Sequence, residues 1–151
     1  MKVLELMKVH VIKAGEDSTL GDAVDMMDLY QITTLPIVDG EDRPIGVISE
    51  SDIVQVVLPP FLESTHKSIG ADSITRLQDR GSNIAGSMIG PVISVDEGAD
   101  VLEAAQIMLD RDFKRLPVTS DGRLVGTIGR IDICQAILEG QLTAPELTNQ
   151  D

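Results

Sequence analysis

The stretch "STLGDAVDMMDLYQITTLPIVD" (18–39) returns as "ADVLEAAQIMLDRDFKRLPVTS" (99–120) at a constant offset of 81. Ala23 falls on Ala104, Met27 on Met108, Leu35 on Leu116 and Pro36 on Pro117, while upstream Met7 falls on Met88 and Ile12 on Ile93. The hairpin of the first copy holds one extra residue, so Gly46 then matches Gly126 and Asp52 matches Asp132 at an offset of 80. A duplication of this kind constrains the fold before any local rule is applied, because both halves must adopt the same architecture.

Each half reads in the same order. A short extended segment opens it (Val9 to Lys13; Pro91 to Val95). A helix follows with Leu20, Ala23, Val24 and Met27 on one face, echoed by Val101, Ala104, Ala105 and Met108. Thr19 with Asp22, and Asp100 with Glu103, stand at the spacing of an N-cap and its third helical residue. Two strands come next, "LPIVDGEDRPIGVI" and "LPVTSDGRLVGTI", with Asp-Gly at 39–40 and 121–122 as turn signals. A second helix closes each half, with Ile53, Val54, Val56 and Val57 apolar in one and Ile131, Ile133, Ala136 and Ile137 in the other. Pro59 and Pro60 are expected to end the first of these helices. The reading is α/β in the broad sense (α+β): two βαββα repeats packed through their sheets about a pseudo-twofold axis, since one unit alone is too one-sided to bury its apolar faces. The expected organisation is repeat 1 over 1–57, a connecting segment over 58–83 with a short helix at "ITRLQDRG", repeat 2 over 84–138, and a polar tail over 139–151.

Hydrophobic residues make up 42% of the 151 residues, but two Phe and one Tyr are the whole aromatic content, so the interior must be aliphatic. No apolar run approaches the ~20 residues of a membrane span, and the start lacks the apolar core of a signal peptide. A single cysteine, Cys134, cannot close an internal disulfide, which points to a reducing cytoplasm. It lies in the apolar pattern "IDICQAIL" and is expected to be buried and inert. The formal net charge of −13 excludes a general nucleic-acid binder. Residues 111–130 run against that field, with Arg111, Lys114, Arg115, Arg123 and Arg130 against Asp112 and Asp121. Such an island is a solvated surface or the place where a small anion finds partners.

The polar cluster in "GVISESD" (46–52) poses the functional question. Ser49 and Asp52 have the spacing of a capping box, and Asp near a helix start is stabilising by itself. Ser51 is not needed for capping. The alternatives are that these groups only tie off a helix, or that they also hold a ligand. "GTIGRID" (126–132) repeats the frame with Gly129 and Ile131 in place of the two hydroxyls, keeping Asp132.

The "M…VI" openings, the "A…MM" and "A…IM" helices, the "LPIVD" and "LPVTS" strands and the pair "GVISESD"/"GTIGRID" together resemble a tandem pair of CBS domains, named for cystathionine beta-synthase. The resemblance covers about residues 3–57 and 84–138. It implies a regulatory module that takes AMP, ADP, ATP or S-adenosylmethionine in clefts between the repeats, requires no cofactor, and pairs with a second copy through helix faces, so a homodimer and a regulated protein partner are expected. The family's nucleotide pattern is met at each position of "GVISESD". The resemblance assigns Asp52 to the ribose, with Ser49 and Ser51 toward ribose or phosphate and Val47 in the same strand; an ionised carboxylate offers only acceptors and suits vicinal hydroxyls. The helix start adds unpaired N–H groups suited to an anion. The adenine wall for this cleft is implied to come from the other repeat, Val92, Ile93, Phe113 and Lys114, while Lys114 and Arg115 stand where the family often places phosphate-binding groups, to which Arg130 could add. A weaker second site is implied around Asp132, with Val11, Ile12, Ile32, Thr33, Thr34 and Arg130; two lost hydroxyls there remove hydrogen bonds typically worth ~0.5–1.5 kcal/mol each.

Catalytic and metal constellations do not emerge from the pattern. His10 and His66 lack ligand spacing around them. "GSNIAGS" (81–87) has two glycines like a phosphate loop but no lysine after Gly86. The expectation is a non-catalytic module, without metal, nucleic acid or membrane; the competing class is a dimerisation module with empty or degenerate clefts.

Overall fold

The described residues of the computed structural model are 1–66 and 92–142, with 64–66 by backbone alone. The chain forms two compact units: the first is Ile12–Val92, the second Met1–Val11 together with Ile93–Asp151. The first unit holds β1 (Ala14–Gly15), α1 (Leu20–Tyr30), β2 (Thr34–Val38), β3 (Pro44–Ser49) and α2 (Glu50–His66). The second holds β4 (Val95–Asp96), α3 (Val101–Arg111), β5 (Arg115–Ser120), β6 (Arg123–Gly129) and α4 (Arg130–Leu138), with a 3-10 turn at Val3–Glu5. Both halves are thus the expected βαββα units, with two small sheets.

The sheets are built identically. β1 runs parallel to β2, with Ala14 opposite Ile37, and β2 runs antiparallel to β3, with Thr34 opposite Ser49. In the second unit Val95 lies opposite Val118 and Arg115 opposite Gly129. The parallel pair requires a crossover, and α1 or α3 supplies it. Ala23, Met27, Leu35, Ile37 and Ile48 form one aliphatic core; Ala104, Met108, Leu116, Val118 and Ile128 form its counterpart.

Local chemistry explains most of the boundaries. The box at α1 is closed as the spacing implied: Asp22 N–H donates to Thr19 Oγ1 at 3.1 Å and Thr19 N–H to Asp22 Oδ2 at 3.0 Å. At α3 the expected pairing of Asp100 with Glu103 is replaced, since Asp100 Oδ1 accepts from Leu102 N–H at 2.8 Å, an amide one residue nearer that a short aspartate also reaches. The tight hairpin at Asp121 and Gly122 has both residues at positive φ (51° and 77°), as a two-residue turn demands. In the first hairpin the extra residue moves the pivot from Gly40 to Asp42 (φ 61°), and Asp39 Oδ1 accepts from Glu41 and Arg43 N–H, both at 2.9 Å.

Several expectations are corrected. The opening strands are two residues long and begin later than Val9 and Pro91: β1 starts at Ala14 and β4 at Val95, and Val9 is exposed. Helix α2 does not stop at Pro59 and Pro60 but runs through both to His66. The carbonyls deprived of a donor belong to Gln55 and Val56, which are exposed, so water satisfies them and the usual helix-breaking penalty is reduced. Cys134 is exposed, because Ile133 and Ala136 take the inward face of α4. Ile131 and Ile137 on that helix, and Val54 and Val56 on α2, are exposed as well. The helix expected at "ITRLQDRG", the glycine segment 81–87, Pro91 and the tail beyond residue 142 lie outside the described residues.

The first eleven residues belong to the second unit, so the sequence repeat and the compact unit are different stretches of chain. Val3, fully buried, enters the second core. Val3 N–H donates to Ala99 O (2.8 Å), Val101 N–H to Met1 O (3.0 Å), and Lys8 and Thr127 exchange both backbone bonds (2.8 and 2.9 Å). Gly126 permits this approach: a Cβ there would stand 2.7 Å from the Lys8 carbonyl oxygen.

Candidate functional site

Strand β3 delivers Val47 and Ser49 to the start of α2, and Ser51 and Asp52 follow in its first turn. Glu50 N–H donates to the Thr33 carbonyl at 2.8 Å, which ties that helix start to the entry of β2. Asp52 N–H donates to Ser49 Oγ at 3.0 Å and Ser49 N–H to Asp52 Oδ2 at 2.8 Å, a complete capping box. The capping role is therefore real. It occupies one carboxylate oxygen; among the described residues Oδ1 of Asp52 accepts no hydrogen bond. Ser51 is exposed and takes no part in the cap.

The second motif has the same backbone and different chemistry. Gly129 N–H donates to Asp132 Oδ2 at 3.1 Å, but glycine has no oxygen to return the bond, so half the box remains. Asp132, with 15% of its side chain exposed, faces two cations: Lys8 Nζ is 3.6 Å from Oδ1 and Arg115 Nη2 is 3.7 Å from Oδ2. Arg115 also donates from Nη1 to Thr127 Oγ1 at 2.9 Å. Gly129 makes room for this, since a Cβ there would lie 3.0 Å from Arg115 Nη2 and 3.0 Å from Asp132 Oδ2. The exchange of Ser49 for Gly129 thus accompanies the exchange of Thr34 for Arg115 across the same strand pair.

The other expected site residues distribute over both units. Val92, Ile12, Ile32, Thr33 and Thr34 belong to the first unit with Asp52; Val11, Ile93, Phe113, Lys114, Arg115 and Arg130 belong to the second with Asp132. Ile93 and Phe113 pack against the second core, and Ile12 and Ile32 against the first. Lys114 is exposed, and its carbonyl accepts from Arg130 N–H at 3.1 Å; Arg130 pairs with Asp112 at 3.2 Å. Lys8 was absent from the sequence-based set. Its signal is visible in retrospect: under the repeat it falls on Ile89, so a charge stands where the other half has an apolar residue. Among the described residues no group of three or more His, Cys, Asp or Glu side chains could hold a metal ion, and no helix is long and apolar enough to cross a membrane.

The duplicated units and their motifs define a CBS-pair class of protein. The CBS domain family profile matches residues 3–59 and 82–139, and the chain belongs to that family. Among relatives, the uncharacterized protein MJ1404 of Methanocaldococcus jannaschii is 30% identical over 138 residues, which cover 91% of this chain and 32% of the relative. The chain therefore spans about a third of that relative. Among solved structures, CBSX2 of Arabidopsis thaliana in complex with AMP matches at a TM-score of 0.71 and 22% identity, covering 93% of this chain and 98% of that one. The CBS pair of protein MJ0100, in complex with 5-methylthioadenosine and S-adenosyl-L-methionine, matches at 0.68 and 22%, covering 94% and 98%. At these identities the two structures show a shared fold.

Proposed function

We propose that this chain is a regulatory, non-catalytic module that binds an adenosine-containing ligand through Ser49, Ser51 and Asp52, acting in the cytoplasm as a homodimer. The observation that carries the reading is the half-committed carboxylate of Asp52. Capping needs one oxygen, and the second remains an acceptor for a ribose hydroxyl beside the exposed Ser51. By the family resemblance Val92, Ile93 and Phe113 are assigned to the base and Lys114 to the phosphate, with Val47 from the same strand as Ser49. The CBS pairs solved with AMP and with S-adenosyl-L-methionine support this ligand class. Ligand signalling then requires tighter binding to one packing of the repeats than to another.

A second reading, an interaction module with degenerate clefts, is favoured by the state of Asp132, whose two oxygens already face Lys8 and Arg115. Calorimetric titration with AMP, ADP, ATP and S-adenosylmethionine separates the two. Binding weakened about tenfold in Asp52→Asn, with the circular dichroism spectrum unchanged, is expected. Absence of binding at millimolar ligand would leave the interaction module.

A further inference from the structure

Four positions at which the two copies differ meet at one place in the second unit. At the repeat offsets Lys8 corresponds to Ile89, Arg115 to Thr34, Thr127 to Val47 and Gly129 to Ser49. Thr127 holds both cations. Its backbone exchanges hydrogen bonds with Lys8 (2.8 and 2.9 Å), and its Oγ1 accepts from Arg115 Nη1 at 2.9 Å. Each oxygen of Asp132 then faces one of them, Lys8 Nζ at 3.6 Å and Arg115 Nη2 at 3.7 Å. Gly126 lets the Lys8 backbone lie against β6, and Gly129 leaves space for the guanidinium. The two cations are not equivalent. Arg115 is anchored by Thr127 as well as by Asp132, whereas among the described residues Asp132 is the one ion-pair partner of Lys8 Nζ, whose side chain is 62% exposed. The first motif has Thr34, Val47 and Ser49 at its three corresponding strand positions, so no charge is brought to Asp52 from them.

We propose that Lys8 is an internal competitor for the second motif: carried on the amino-terminal segment, its ammonium occupies Asp132 and closes that carboxylate to a ligand hydroxyl. Independent loss of a site would remove groups one at a time. Here the exchanged residues supply a backbone anchor, a hydroxyl, space and charge for a single contact. An ammonium and a ribose hydroxyl ask for the same carboxylate lone pairs, and a carboxylate flanked by two cations has less to offer a neutral donor. The backbone bonds to Thr127 keep Lys8 close to Asp132, so it competes at a high effective concentration. The pair is nevertheless largely solvated on the lysine side, which makes it a brake that a ligand can displace rather than a permanent closure. This inference rests on the reading of both motifs as adenosine-ligand sites and adds what closes the second.

The test is a nuclear magnetic resonance titration of the isotope-labelled full chain with adenosine, which carries ribose and base but no phosphate to pair with Lys8. The Gly129 amide donates to Asp132 and the Ser49 amide to Asp52, so each reports its own motif. Lys8→Met should lower the dissociation constant read at Gly129 about fivefold, the scale of a solvated ion pair, and leave that read at Ser49 unchanged. Lys8→Gln removes the charge without adding an apolar group and should give the same gain. Lys8→Arg keeps the charge and should titrate as the wild-type chain does. Adding Asp132→Asn to Lys8→Met should abolish the gain. An affinity at Gly129 that is unchanged or weaker in both Lys8→Met and Lys8→Gln would overturn the proposal, because the lysine would then be indifferent to the ligand or help to hold it. A Gly129 amide that adenosine does not move in any of these chains would overturn it as well. The Ser49 amide tests the ligand-binding reading of the first motif separately, since that reading fails where Ser49 stays unmoved, whatever Gly129 does.

Discussion

Asp52 and Asp132 occupy matching places in the repeat and meet unlike surroundings. One shares an oxygen with its own helix start; the other is bracketed by Lys8 and Arg115. Ligand hydroxyls approaching Asp132 must compete with two cations, whereas those approaching Asp52 compete with water. Asparagine keeps an oxygen for the Ser49 amide and removes the charge. Asp52→Asn should therefore leave the melting temperature nearly unchanged while weakening adenosine-ligand affinity about tenfold, as befits a charge-assisted hydrogen bond. Asp132→Asn should weaken it less, and the opposite ranking by calorimetry would place the principal site at the second motif. The residue pattern made the cap legible, because a capping box depends on neighbours three positions apart. Lys8 was hidden because its pairing with Asp132 joins residues far apart in sequence. Cys134 misled because an apolar neighbourhood in sequence does not say which side of a helix faces inward.

At the level of strands and helices, substitutions that look like decay of a motif prove to be compensated across a strand pair. Arg115 opposes Gly129 where Thr34 opposes Ser49, a large side chain against none and two small ones together. Gly129→Ser should therefore destabilise more in the natural chain than in an Arg115→Thr background. A double-mutant cycle in thermal denaturation should give a coupling of about 0.5–1 kcal/mol, and a coupling of zero would mean that the pairing is incidental. Gly126→Ala would bring a methyl group to 2.7 Å from the Lys8 carbonyl. It should cost about 1–3 kcal/mol by overpacking and speed amide exchange at Thr127 in particular. The order of elements was readable from periodicity and turn residues in both halves. The length of α2 was not, because the rule that proline ends a helix assumes that the freed carbonyls cannot reach water. The first hairpin also escaped, since an inserted residue moved its positive-φ position from glycine to Asp42.

For the molecule as a whole, the sequence repeat predicted two like units, and the exchange of the opening segment is what the repeat could not reveal. Val3 illustrates the difference: it lies at the head of the first repeat and inside the second core. Val3→Ala should lower the stability of the second unit by about 2 kcal/mol, with loss of exchange protection at Val101 rather than in α1. Loss confined to the first unit would contradict the assignment. A hydrophobic count alone would have placed Val3 with its nearest neighbours in sequence, because long-range pairing carries no local signature. The same arrangement has a consequence for biosynthesis. Residues 1–8 are synthesised well ahead of Thr127, the backbone partner of Lys8. This segment must therefore wait, unpaired, until β6 has been made. Docking of residues 1–8 onto the unit that bears Asp132 should therefore follow the formation of β6.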